Sequence, residues 1–172
     1  MATSGNKTAQ DSIIEIMPSK PIPNYAFLND GNLNFENKTY DLGFEINSFS
    51  NGAAYGDLDN DGDLDLVINN VNMPSSLYKN QTDTSRNRSL QLKLGSTNKS
   101  NTYAVGASVK AWIGSSQLSA SNFPSKGFQS SVEQNIHFGL GDINIIDSLK
   151  VEWPDKKVTT LRNIKPNNSI TI

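Results

Sequence analysis

The chain is punctuated too often for helices. Short apolar alternations stand between clusters of Gly, Asn, Asp and Pro along almost its whole length, which is the pattern of strands joined by turns. Only "QDSIIEIMPS" (10–19) could make a helical turn or two, and Pro18 would stop it. Strands are expected at Tyr25–Leu28, Gly52–Gly56, Leu64–Asn69, Ser76–Lys79, Ser89–Leu94, Ala107–Ile113, Gln134–Phe138, Ser148–Trp153, Val158–Leu161 and Ser169–Ile172, with turns at Asn29-Asp30-Gly31, Asp61-Gly62 and Pro154-Asp155-Lys156. The fold class expected is all-β.

The 172 residues are enough to bury a sizeable core. Composition excludes several functions. The net charge of −2 comes without a basic stripe, which argues against nucleic acid. No apolar run approaches the length of a membrane span. There are no cysteines, hence no disulfide, no Cys-ligated zinc and no thiol nucleophile. "MATSGNKTAQ" has no apolar h-region and reads as a flexible leader (residues 1–20) or the start of an excised piece, not as a signal peptide.

Near residue 84 the composition shifts from Asn, Asp and Gly to longer alternating strands. The polar "TDTSRNRS" (82–89) reads as a linker, so one domain is expected over 21–84 and another over 85–172. The first holds a faint repeat: "NYAFLND" and "SSLYKNQ" both place an aromatic two residues before an Asn, at an offset of about 50 residues, a period found in propeller blades.

"GDLDNDGDLD" (56–65) carries five carboxylates that repel one another. Asp57, Asp59, Asp61 and Asp65 stand at positions 1, 3, 5 and 9 of a loop, with Gly62 where a tight turn needs positive φ. Alternate carboxylates on such a turn converge, and hard oxygen ligands in that number suit Ca²⁺, which takes about six to eight. Asp63 is expected to contribute its carbonyl while its side chain points outward. An EF-hand would need a bidentate Glu at position 12, where this chain has Ile68, and helices in place of the strand-like flanks. Mg²⁺ fits less well because it demands a stricter octahedron.

"SNGAAYGDLDNDGDLDLVINN" resembles the FG-GAP repeat, also called the VCBS repeat, of integrin α-chain propellers and bacterial surface proteins. The family's D-x-D-x-D-G-x-x-D loop falls on Asp57, Asp59, Asp61, Gly62 and Asp65. The resemblance implies a calcium loop between adjacent strands of a blade. "AFLNDGNLNFENKT" resembles a blade ending, but Asn32 replaces an acid there, so no metal role follows for it. The second half resembles the ASPIC/UnbV domain through "AVGASVKAW", "GFQSS", "HFGLGD", "IDSLKVEWPD" and "LRNIKPNNSITI". The same pairing occurs in cartilage acidic protein, and the resemblance implies a transthyretin-like β-sandwich. Phe128 stands where that family often has Tyr.

His137 is the only histidine and has no nucleophile motif beside it, so it reads as a strand residue. Trp112 and Trp153 read as sandwich core or rim. The expected function is a calcium-stabilised binding or adhesion module at the cell surface or outside the cell, with a protein or glycan ligand and no catalysis. A structural spacer without a ligand is the alternative. A glycan-active enzyme is disfavoured, because an acid pair for it would need separated environments.

Overall fold

In the computed structural model, residues 19–172 are described. The possible helical turn and most of the leader lie outside them. Every regular element among the described residues is a β-strand. They divide into two compact units, one of residues up to Ser50 with Asn70–Met73, the other of Asn51–Asn69 and Pro74–Ile172.

In the first unit, β1 (Phe27–Asn29) and β2 (Phe35–Asn37) form an antiparallel hairpin. The turn expected at Asn29-Asp30-Gly31 joins them. Gly31 takes φ 88°, and the Asn29 and Asp30 side chains each accept an N–H two residues on, at 2.7 Å. Every side chain of these two short strands is exposed, including Phe27, Leu28 and Phe35. Order comes instead from polar contacts. Buried Thr39 accepts the Ala26 N–H at 3.0 Å, and Ser48, Ser50 and Asn70 form a hydrogen-bonded chain of 2.8 and 3.0 Å.

The second unit contains two structures. The first is a three-stranded sheet of β3 (Ser50–Gly56), β4 (Asp65–Asn70) and β5 (Ser76–Tyr78), in that order. β4 pairs antiparallel with β5, Val67 opposite Leu77. The second is a sandwich of seven strands. β6 (Arg88–Lys93), β9 (Asn135–Gly141) and β12 (Asn168–Thr171) make one sheet, ordered β12-β6-β9, with β12 parallel to β6. β7 (Ser108–Ile113), β8 (Ser116–Ser121), β10 (Ile146–Glu152) and β11 (Val158–Ile164) make the other, ordered β11-β10-β7-β8 and antiparallel throughout.

Period-two alternation builds the core. Leu90 and Leu92 of β6 and Ile136, Phe138 and Leu140 of β9 face Val109 and Ala111 of β7 and Leu149 and Val151 of β10. Leu90, Leu92 and Leu149 are wholly buried, each worth roughly 2–3 kcal/mol by area removed from water. Trp153 packs at the margin of this core, and its indole N–H donates to the Thr159 hydroxyl at 2.8 Å, as the rim reading expects. Two strands escaped the sequence reading. β2 is three residues long, and β8, "SQLSAS", offers only Leu118 and Ala120 to the core.

The sheet β3-β4-β5 meets the sandwich closely at Gly52. A Cβ there would lie 2.8 Å from Ser130 Oγ and 3.0 Å from the Phe128 carbonyl oxygen. The glycine is needed for this approach of backbone to loop rather than for its φ.

Candidate metal centre

The acidic loop runs from the end of β3 to the start of β4, between neighbouring strands as the sequence implied. Its own carboxylates fold it. Asp57 accepts the Gly62 N–H at 3.2 Å, Asp59 accepts the Asp61 N–H at 3.3 Å, and Asp61 accepts the Asp63 N–H at 3.1 Å. Asn60 (φ 61°) and Gly62 (φ 95°) supply the left-handed turns this path requires.

The result brings one carboxylate oxygen from each of Asp57, Asp59 and Asp61 to within 4.8 Å of one another. Asp65 lies outside that group. It is buried at the base, where one oxygen accepts the Leu58 N–H at 3.2 Å and the other the Asn80 N–H at 2.9 Å. Ile68, at position 12, is a buried apolar residue of β4, consistent with rejecting an EF-hand.

The expectation for the Asp63 side chain is corrected. It does not point outward: the residue is only 6% exposed, and both carboxylate oxygens are buried without a hydrogen-bond partner. Strict alternation fails because the two left-handed residues just before it turn the backbone inward. Burial pushes its carboxyl above the usual range, and the nearby Asp61 carboxylate adds to that.

Sequence reasoning missed Lys79. Its ammonium contacts the Asp59 carboxylate and lies 3.8 Å from Asp61. This contact holds the Asp59 carboxyl below, and the Lys79 ammonium above, their ordinary values. The link is made across the sheet from beyond β5, and no local pattern announces it.

The donor set fits a hard cation. Three carboxylates converge, and Asp57 Oδ1 is buried without a partner. A buried acceptor in that state calls for an ion or water. Asp57, Asp59 and Asp61 would hold the ion, which would neutralise their repulsion and fix the turn.

The loop is seated on the sandwich. Ser89 of β6 donates its hydroxyl to the Gly62 carbonyl oxygen at 2.8 Å. A cleft of about 330 Å³ opens between Asp57, Asp61, Ser89, Gln91 and His137. His137 Nδ1 is buried and unpartnered. Burial lowers the His137 pKa, opposed by the charges of Asp57 and Glu133.

Two family models match the chain. Residues 13–68 match the FG-GAP-like repeat, and residues 95–172 match ASPIC and UnbV. Along the chain the two matches stand in that order, the FG-GAP-like repeat first and ASPIC and UnbV second. The first match includes the whole acidic loop and the second most of the sandwich. A comparison with curated proteins found no match. FG-GAP-like repeats are typical of extracellular proteins. No helix among the described residues is long and apolar enough to cross a membrane.

Proposed function

We propose that the chain is a calcium-stabilised extracellular binding module, without catalysis of its own. The observation that carries the reading is the buried, unpartnered Asp57 Oδ1 beside the Asp59 and Asp61 carboxylates. An ion bound there favours the folded state, because the unfolded chain cannot assemble the three groups, so binding energy becomes folding energy. Ca²⁺ suits an all-oxygen site on a flexible turn better than Mg²⁺ does.

A cleft that the sandwich forms with β3 and the acidic loop supports binding over a purely structural spacer. It has a volume of about 740 Å³ and is lined by Tyr55, Lys110, Ser119, Lys126, Glu133 and Asn135 among others. Ligand sites are commonly about 300–1,000 Å³ with a few convergent polar groups. Its lining suits a polar ligand such as a glycan or a peptide.

Thermal melts in Ca²⁺ and in EGTA test the metal, and equal melting temperatures would sink it. Glycan and peptide arrays test the ligand. Binding that is lost in Tyr55→Ala supports the module, whereas a blank array favours the spacer.

A further inference from the structure

Trp112 stands on the outer face of the sandwich, where core or rim was expected. In β7, Val109 and Ala111 face the core, so Ser108, Lys110 and Trp112 face the other way. The same alternation turns Ser148 and Lys150 of β10 outward, since Leu149 and Val151 point in. Trp112 is half-buried and is not among the residues packed on the core. Among the described residues its ring stacks on no other, and its indole N–H has no acceptor. Trp153 differs in both respects, because it packs on the core and donates to Thr159.

The pairing register fixes the neighbours of Trp112. Gln117, Trp112, Ser148 and Arg162 lie side by side across four strands. In the next row Lys110 is directly opposite Lys150. Strands about 4.8 Å apart, with about 7 Å between rows, put the backbones of these three cations within roughly 10 Å of that of Trp112. Like charges directly opposite one another destabilise a sheet. Yet none of the three has a carboxylate partner among the described residues. Glu152, one row further on, is paired with Lys156 at 3.5 Å. The face is therefore cationic in a chain whose net charge is −2.

These features select among ligands. β7 and β10 are paired on both sides, so their main chain has no free edge for an added peptide strand. A single aromatic among three cations is too little for a nucleic-acid track, which uses several stacking platforms along a basic groove. A sugar ring fits. Its C–H face stacks on an indole, and its hydroxyls can pair with the indole N–H and with the side chains of Gln117 and Ser148. A carboxylate on the ring makes charge-assisted hydrogen bonds to lysine and arginine. Placed between Lys110 and Lys150, it also removes their repulsion.

We infer that this outer face binds an acidic polysaccharide, with a sugar ring stacked on Trp112 and uronate carboxylates held by Lys110, Lys150 and Arg162. The inference rests on the binding-module reading above and gives it a ligand class. Its central residue, Trp112, does not line the cleft of about 740 Å³, although Lys110 does.

The test titrates the full chain, in CaCl₂, with oligosaccharides of galacturonate and of hyaluronan, each beside its carboxyl-reduced neutral form. Calorimetry and indole fluorescence follow binding. At least one acidic form should bind more tightly than its neutral form, with an emission change that persists in Trp153→Phe. Trp112→Ala should weaken binding by about tenfold or more. The double variant Lys110→Gln, Lys150→Gln should weaken it several-fold. Circular dichroism checks that both keep their strands, and the lysine variant decides if Trp112→Ala does not fold. No preference for either acidic form, or full binding in the folded variants, overturns the inference. Binding lost in Tyr55→Ala but kept in Trp112→Ala overturns it in favour of the cleft and leaves the module reading standing. Equally tight binding of single-stranded oligodeoxythymidine, lost in the same variants, overturns it in favour of a nucleic acid.

Discussion

Ser89 and Gly62 are 27 residues apart in sequence, and the hydroxyl of the first donates to the carbonyl of the second at 2.8 Å. This bond ties the tip of the acidic loop to a central strand of the sandwich. Removing it should loosen the loop from β6 and weaken the transmission of metal binding to the rest of the unit. Ser89→Ala is expected to cost about 1 kcal/mol, the usual net worth of such a bond. It should also narrow the difference between melting temperatures in Ca²⁺ and EGTA. An unchanged difference would mean that loop and sandwich are not coupled through this contact.

Asp61 stands at the centre of the loop. It belongs to the convergent group, accepts the Asp63 N–H and lies near Lys79. Asp61→Ala should therefore abolish the stabilisation that Ca²⁺ gives, measured as the gap between the two melts. Lys79→Ala leaves the carboxylates in place and removes a cation that competes for Asp59. It should leave Ca²⁺ affinity unchanged or raise it by a few fold, as calorimetry would show.

Gly52 offers a purely steric prediction. A methyl group at this position would fall 2.8 Å from Ser130 Oγ and 3.0 Å from the Phe128 carbonyl oxygen. Gly52→Ala should cost about 1–3 kcal/mol, as overpacking does. Adding Ser130→Ala should recover only part of this, because the Phe128 carbonyl remains. Chemical denaturation of the two single variants and the double variant measures it, and full additivity would remove the steric account.

His137 gives a pH dependence with a definite sign. Burial depresses its folded pKa below its ordinary value near 6.5, while Asp57 and Glu133 limit the effect. A base depressed on folding contributes stability that is present above its unfolded pKa and is lost as pH falls through that value. The melting temperature should therefore decline between about pH 7 and pH 5. Because the chain has a single histidine, His137→Gln should flatten this decline.

Much of the sandwich was legible from local pattern. β9 alternates Ile136, Phe138 and Leu140 inward with His137 and Gly139 between them, and β6 does the same with Leu90 and Leu92. Strands with a full apolar face announce themselves, because one face must be buried. β8 did not, since edge position in its sheet leaves it few apolar residues to show. Of the four side chains that spacing on a tight turn led one to expect together, Asp57, Asp59 and Asp61 converge, whereas Asp65 is taken up by the Leu58 and Asn80 N–H groups.

The sequence by itself determined the strand chemistry and the acidic turn on which Asp57, Asp59 and Asp61 converge, both of which depend on residues close together in the chain, but it also expected Asp65 in that group. Tertiary structure decided what lies beyond one turn's reach. It placed Lys79 against Asp59, seated Gly62 on Ser89, and drew the Asp63 side chain inward. Each depends on packing between distant segments. For Asp63, packing and the left-handed turns at Asn60 and Gly62 overrode the alternation that would have sent it to solvent.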